Sequence, residues 1–566
     1  MPSLTSKIIN GHKYYYARVC QRVNGKPKIV QTHYLGTVEK MIENAHGPKQ
    51  IPRAKEVCIL ELGATGALFD IAQRLQLVEI IDRHCPKRNQ GPSVGQYMLV
   101  AAINRACHPT SKTTLGEWFD QTIGPRLMGI HARQLSSQAF WNQMDRLEHQ
   151  CLIKIENDLL SRLIDEFDLN LDCLLYDATN FYTYINTKTE SELAQRGHNK
   201  QKRNDLRQVS LGMMTSSDFH VPLLHMVYGG NITDSTQFGS FIDELVERYK
   251  QLTKVCPQIT VVFDKGNNSE DNVKAFAKSE MHFVGSLKLS QCPDLLDVPA
   301  SEYRQLRGRG LEEVTAYRSR CEVFAEERTV VMTYNENLLA GQLQGIGRNI
   351  LKCKSELHAL QTRLKRWANG NIRKGRKPTP EGAKKKVERI LRREYMSEII
   401  TTSITLSEGF PTLQYQVQQA AIARLSKRVL GKTLLFTDND EWTDEEIVCT
   451  YRAQYHIEHA FREMKNPHFL GWNPRFHWTD QKIRVHAFYC VAALTLVSLL
   501  RRELAAKRIH LSAETLMENL CAIRETISVY PQGKNQPPKL SPSISCLTET
   551  QRTLYKCLDL GRFRED

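Results

Sequence analysis

Two short apolar runs, LDCLLYD (171–177) and ITVVFDKG (259–266), constrain this chain more than any other feature in it. Each is too short for a core helix and rich in residues that pack well on a pleated surface. Both therefore read as strands buried on both faces, and each runs into an aspartate. A sheet buried on both faces needs helices to cover it. The segments between and around the runs supply them. VSLGMMTS (209–216) and VPLLHMVYGG (221–230) flank a turn at Ser217-Asp218. DSTQFGSFIDELVERYKQ (234–251) is amphipathic, with Asp234 or Ser235 at its cap, and a helix from about Ser269 to Ser279 precedes the strand HFVGSLKL (282–289). Three strands, helix, strand, helix, strand is the order of an α/β layer with a mixed sheet.

The rest of the chain is organised differently. Residues 11–36 alternate aromatic or aliphatic with polar residues around Asn24-Gly25, a β-hairpin pattern. From about Leu60 to Phe167 the period is helical, with Pro and Gly between the helices. EEVTAYRSRCEVFAEERTVVMTYN (312–335) reads as β-hairpins, and Leu338 to Tyr395 as basic helices. Thr433 to Phe436 is a strand and Thr443 starts another helix. From Pro537 the chain reads as a loose tail. The charge balance, 77 Lys and Arg against 62 Asp and Glu, gives +15 and favours a polyanionic partner. The 15 cysteines form no CxxC pair, which argues for reduced thiols and against a disulfide framework. The longest apolar run, Ala487 to Leu500, is shorter than the roughly 20 residues that cross a bilayer, and MPSLTSKIING has no apolar leader. The expected location is the cytoplasm.

Asp177 and Asp264 admit two readings. An aspartate after a strand commonly caps a turn. Both, however, close an apolar run, so both emerge where open α/β sheets place their sites, beside the small residues Ala178-Thr179 and Gly266-Asn267. Two such carboxylates form an oxygen-rich site suited to Mg²⁺, and a third would complete a two-metal site for phosphoryl displacement. The candidate is Glu458, in YRAQYHIEHAFREMK (451–465). There Ile457, Ala460, Phe461 and Met464 form an apolar stripe that Glu458 borders. Tyr451, Glu458 and Lys465, seven apart, fall along one line of a continuous helix. The plainer alternative is an exposed Glu458–Arg462 pair.

YDATN, VVFDKGNN and YRAQYHIEHAFREMK together resemble bacterial insertion-sequence transposases of the DDE class, in the superfamily named for its Tyr-Arg-Glu-Lys signature, Y-x2-R-x3-E-x6-K. Tyr451, Glu458 and Lys465 fall on three signature positions. Gln454 stands where the family has Arg, with Arg452 as a neighbouring substitute. LLFTDNDEWTDEEIVCTYR and RGHNKQKRNDLRQVSLGM are also similar to family segments. The resemblance covers about Leu171 to Leu500.

It implies an α/β, ribonuclease H-like core with a mixed sheet, interrupted by an insertion domain and preceded by a mainly helical domain. Asp264 and Glu458 lie 194 residues apart, too far for one connection in a compact domain. The implied layout is a hairpin segment (1–50), a helical DNA-binding domain (51–168), the first part of the core (169–289), an insertion (290–432), the second part of the core (433–510), and a C-terminal helix and tail (511–566). The implied activity is cleavage of element ends and 3′-hydroxyl strand transfer into target DNA. Asp177, Asp264 and Glu458 would bind two Mg²⁺ ions, with Mn²⁺ as the alternative. The implied DNA contacts are Tyr451, Lys465, Arg452, Arg462, His198 and Lys200. Residues 1–165 would read the terminal inverted repeats, the basic segment Arg348–Arg393 would contact phosphates, and a homodimer would form the synaptic complex on the bacterial nucleoid. A transposase-derived DNA-binding protein without catalysis, and a related metal-dependent nuclease, are the alternatives. His456 and His459 form an HxxH near Cys449, but the two rings stand only about a turn apart with no fourth ligand, so zinc is not expected there.

Overall fold

The computed structural model describes residues 2–23, 26–45, 53–85, 90–197, 203, 205–249, 259–277, 281–372, 374–472, 477–532 and 537–565. The chain forms two compact units, one of residues 1–60, 524–547 and 564–566 and one of 61–523 and 548–563.

In the smaller unit Pro2–Ile9, His12–Val23 and Lys26–Gly36 form an antiparallel sheet, followed by a helix, Val38–Ala45. The expected hairpin is present as the last two strands, while its turn, Asn24-Gly25, lies outside the described residues. A second sheet joins Glu56–Glu61, Arg524–Tyr530 and Lys539–Ile544. The C-terminal region is thus not a loose tail. Lys539–Ile544 pairs antiparallel with Arg524–Tyr530, and Glu549–Cys557, which belongs to the larger unit, is a helix with a Thr548 capping box. Pro537-Pro538 and Ser/Thr-rich composition hide elements whose partners lie elsewhere in the chain.

The larger unit is built on a nine-stranded mixed sheet. Its strands are β1 (Cys173–Thr183), β2 (Arg207–Ser216), β3 (Pro222–Gly229), β4 (Thr260–Phe263), β5 (His282–Leu287), β6 (Arg304–Gln305), β7 (Val314–Val323), β8 (Glu326–Asn335) and β9 (Lys432–Thr437). They lie in the order β6-β7-β8-β9-β5-β4-β1-β2-β3. β4 is parallel to both β1 and β5, and the remaining pairs are antiparallel. All four residues of β4 are buried, as a central strand covered on both faces requires. The hairpin expected in an inserted region is instead β7 and β8. It continues the central sheet by pairing β8 with β9. Residues 336–430 then fold around an apolar cluster of their own. The Glu336–Ala368 and Pro380–Ile390 helices pack there with a two-stranded sheet, Ile400–Ser407 and Phe410–Val417, that the sequence did not reveal.

Phe263, Phe276, Phe283 and Phe436 meet at the centre, with ring centroids 5.7 Å apart for Phe263–Phe276 and 5.1 Å for Phe283–Phe436. Gly285 leaves room for them, since a Cβ there would stand 2.5 Å from Phe436 and 2.8 Å from Phe263. Gly285→Ala should therefore lower stability by about 1–3 kcal/mol through overpacking, read as a reduced denaturant midpoint. An unchanged midpoint would mean that these rings relax without cost.

Among the described residues one helix, Asp480–Ala506, is long and apolar enough to cross a membrane by length and composition, and 94% of its apolar window is buried inside the protein. Helices Gly63–Arg74, Leu77–His84 and Val94–Cys107 fall within the expected helical region, and helices Gly63–Arg74 and Val94–Cys107 pack on Asp480–Ala506.

Candidate active site

β1 and β4 pair in parallel with Cys173 opposite Thr260, Leu174 opposite Val261 and Leu175 opposite Val262. The offset is 87 residues, the separation of Asp177 from Asp264. Asp264 keeps extended backbone angles, φ −85° and ψ 161°, so the register carries on by two residues and sets the two aspartates side by side. Paired residues of adjacent parallel strands project from the same face, so both carboxylates point the same way. Both are half-buried. One sequence expectation is corrected here. Asp177 does not end its strand, because β1 runs on to Thr183 against β2. What ends at this point is the pairing of β1 with β4, which opens the sheet beside the aspartates.

After Asp264 the chain makes a short helical turn, Lys265–Asn267, closed by the Asn267 amide donating to the Asp264 carbonyl at 2.9 Å. Ser286 on β5, the position opposite Asp264 when the β4·β5 register is extended, donates its hydroxyl to Asp264 Oδ1 at 3.1 Å. Asn268 Nδ2 donates to the Ser286 carbonyl at 2.7 Å. Sequence reasoning missed Ser286. Its signal was a small polar pair, Gly285-Ser286, inside an otherwise apolar strand.

The stretch 451–465 is not one helix. Asp444–Arg452 and Tyr455–Lys465 are separate helices, and at Gln454, His456 and Ile457 the backbone amides bond three residues back, a tightening that shifts the axis. Tyr451 therefore does not share a helical line with Glu458 and Lys465. The break brings the three together differently. The first helix is anchored at its N-terminus. Thr443 caps it, Arg304 grips Glu445 in a two-pronged pair (2.9 and 2.7 Å), and Arg304 and Arg318 hold the buried Asp444 carboxylate. The Arg304 contact holds the Glu445 carboxyl down at about 2. Ile447 and Val448 sink into an apolar cluster with Val284, Val314, Val331 and Leu435, and Tyr451 packs at its edge. That aims the Tyr451 hydroxyl at Asp264 Oδ1, 3.4 Å away.

The second helix packs on β1. Ile457, Ala460, Phe461 and Met464 are buried, as the stripe predicted, while Glu458 and Lys465 stay exposed on its flank. Lys465 Nζ donates to Thr179 Oγ1, two residues along β1 from Asp177 and on the same face, and stands 5.3 Å over the Phe181 ring. In the chain Glu458 falls between Tyr451 and Lys465, on the exposed flank of the second helix. Burial is the main cause that pushes the Tyr451 phenol above its ordinary range. Ser286 opposes it, and the Asp264 and Glu458 carboxylates add to it. Tyr451 is thus a protonated donor facing carboxylates.

Of the other residues singled out in the sequence, Arg452 donates to the Gly310 carbonyl, so it braces a loop. Arg462 is exposed. Gln454 is buried, 7% exposed, at the break between the helices, where a neutral amide is cheaper to enclose than a guanidinium. His198 and Lys200 lie outside the described residues.

Residues 170–496, more than half of the chain, match the family described as Transposase DDE domain. The chain belongs to this DDE transposase family. It also resembles the cryo-EM structure of the piggyBac transposase synaptic complex with hairpin DNA, at 11% identity and a TM-score of 0.36, over 82% of this chain and 79% of that one. No curated protein sequence matches it. The DDE transposase domain thus spans the central sheet, both aspartates and both site helices.

Proposed function

We propose that this DDE transposase domain is catalytically competent, cutting the ends of an insertion sequence and joining them to target DNA by 3′-hydroxyl strand transfer. The observation that carries the reading is the β1·β4 register, which extended by two residues makes Asp177 and Asp264 neighbours, with Tyr451 of the first helix reaching Asp264 and Lys465 of the second reaching Thr179. In this reading the central sheet is a ribonuclease H-like core of the Tyr-Arg-Glu-Lys type from a bacterial element, and residues 336–430 are the inserted domain.

The donor set fits divalent magnesium, with manganese as the alternative. The Ser286 and Tyr451 hydroxyls meet at the Asp264 carboxylate, Asp177 is next to it by the extended strand register, and hard oxygen ligands select a hard cation. Asp177, Asp264 and Glu458 would hold two such ions, which when bound supply charge neutralisation at the phosphate and activation of the attacking oxygen. The chain's own groups do the positioning. Ser286 and Tyr451 donate toward Asp264 Oδ1 and fix the carboxylate plane. Lys465, steadied by Thr179, presents an ammonium to a phosphate beside β1. Arg462, exposed one turn along from Glu458, is placed to extend that grip, and Arg452 supports it through the Gly310 loop. In the inserted domain a groove of about 730 Å³ is lined by Arg363, Lys386, Arg389 and Arg392, which offer further phosphate contacts, while Arg393 in the same groove is paired with Glu356. The partners are the terminal inverted repeats and target DNA, held by a homodimer in the bacterial cytoplasm.

A Mg²⁺-dependent strand-transfer assay on an element-end duplex tests this. Glu458→Gln should lower cleavage and joining by at least about 10³-fold while still shifting the duplex on a gel. Equal joining by the wild type and the variant would remove Glu458 from the site. Cleavage without joining by the wild type would make the protein a nuclease. DNA binding with no chemistry in either would make it a transposase-derived binding protein.

A further inference from the structure

The other flank of the Tyr455–Lys465 helix carries a second group of ligand-type side chains. At about 100° per residue, His459 and Glu463 lie roughly 100° and 140° around the helix from Glu458, away from the aspartates. A nitrogen of His220, a nitrogen of His459 and a carboxylate oxygen of Glu463 all lie within 4.8 Å of one another. His220 and Glu463 are 3% and 8% exposed. Three atoms in this group, His220 Nδ1, His459 Nδ1 and Glu463 Oε2, make no well-aligned hydrogen bond among the described residues. His459 Nδ1 approaches Glu463 Oε1 to 3.2 Å, and His220 Nε2 approaches Glu463 Oε2 to 3.7 Å. His456, one turn before His459, lies against the same group, its ring centroid 6.3 Å from that of His220.

The backbone goes out of its way to deliver His220. Phe219 and His220, in the turn between β2 and β3, both hold positive φ, 51° and 45°. Tight hairpins put Asn-Gly at such positions, and a bulky aromatic followed by histidine is strained there.

We infer that His220, His459 and Glu463, with His456 beside them, form a zinc-type metal site that ties the Glu458 helix to the β2–β3 turn. Two imidazoles and one carboxylate are an established zinc donor set, and a water or the His456 imidazole completes four-coordination. Ligands about 2.0–2.1 Å from zinc stand about 3.3 Å apart, so an ion would draw the three donors inward by about an ångström. The further donors are ones that the HxxH does not show. Glu463 comes from the next turn of the helix, and His220 from more than two hundred residues earlier. The competing cation is Arg501, whose Nη1 lies 3.3 Å from His220 Nε2 and whose charge Glu463 partly offsets. An Arg501–His220–Glu463 network without metal is therefore the alternative that the test has to separate.

The test uses the full-length chain without a histidine tag, and it reads metal and not DNA chemistry. Protein purified with zinc present and desalted should retain about one zinc per chain, and cobalt substitution should give the visible absorption of a four-coordinate ion. Glu463→Gln and the half-exposed His459→Asn should each weaken zinc at least tenfold, whereas Asp264→Asn should leave it unchanged. Chelation should lower the melting temperature of the wild type but not of Glu463→Gln. No retained zinc and no cobalt band in the wild type would overturn the inference in favour of the Arg501 network. Zinc retained equally by Glu463→Gln and His459→Asn would overturn it in favour of an adventitious ion elsewhere. Because Asp264→Asn should lose catalysis and keep zinc, this site and the DNA-cleaving site fail independently.

Discussion

Asp177→Asn and Asp264→Asn should each lower Mg²⁺-dependent cleavage of an element-end duplex by at least about 10³-fold, about 4 kcal/mol of transition-state stabilisation. The shared register makes the two carboxylates neighbours on one face of the sheet, so each variant removes half of a preformed anionic pair. The substitution keeps shape. In Asp264→Asn the amide oxygen could still accept the Ser286 and Tyr451 hydroxyls that now approach Asp264 Oδ1 at 3.1 and 3.4 Å, so the melting temperature should barely move. DNA affinity should persist or rise slightly, because binding rests on basic side chains and the variants remove a negative charge. Single-turnover cleavage, thermal melting and a gel shift on the same preparations separate these quantities. Cleavage by either variant within tenfold of the wild type would exclude that aspartate from the site.

Replacing Lys112 by methionine should stabilise the protein near pH 7 by about 2–3 kcal/mol, with the gain shrinking as pH rises and turning into a loss of about 1 kcal/mol by pH 10. The Lys112 ammonium is wedged 4.4 Å over the Trp141 ring and 5.3 Å over Phe140, donating to His477 Nε2 at 3.0 Å and Tyr489 at 3.4 Å. No carboxylate is among these contacts. Burial, helped by repulsion from Arg105 and opposed by Cys490, brings its pKa down to about 7 from 10.5. A depressed folded-state pKa on a base means that the unfolded chain binds the extra proton between about pH 7 and 10.5. Wild-type stability therefore rises across that window, is complete above it, and is lost as pH falls through it. The full window is worth at most about 5 kcal/mol, and losing the hydrogen bond and the aromatic contact offsets about 2 of that. Denaturant unfolding of both proteins at about pH 7, 8.5 and 10 measures the difference. A flat difference across the three would show that Lys112 stays charged in the folded state.

Both aspartates were legible because each closes an apolar run, and a run of that length with no polar alternation has to be a strand buried on both faces. Glu458 was legible as the residue bordering a 3.6-period stripe, and the stripe itself is buried as read. The family signature tied the three together in order. The two apolar runs and the stripe each lie within a dozen residues of chain, where periodicity and capping act.

What stayed hidden depends on partners far away in sequence. Gln454 reads as one more helical residue, and only packing of the two flanking helices on different strands breaks the helix there. The 312–335 hairpin carries no mark of which sheet it joins, because its alternation is the same in an inserted domain as on the edge of the core. Ser286 gains its meaning from the β4·β5 register, and His220 and Glu463 from a turn meeting a helix across 243 residues of chain. Local side-chain chemistry determined the strands, the stripe and the acids. Tertiary packing alone decided that Asp177 stands beside Asp264, since strand register is set by which apolar faces must leave water together, and that choice belongs to the whole sheet.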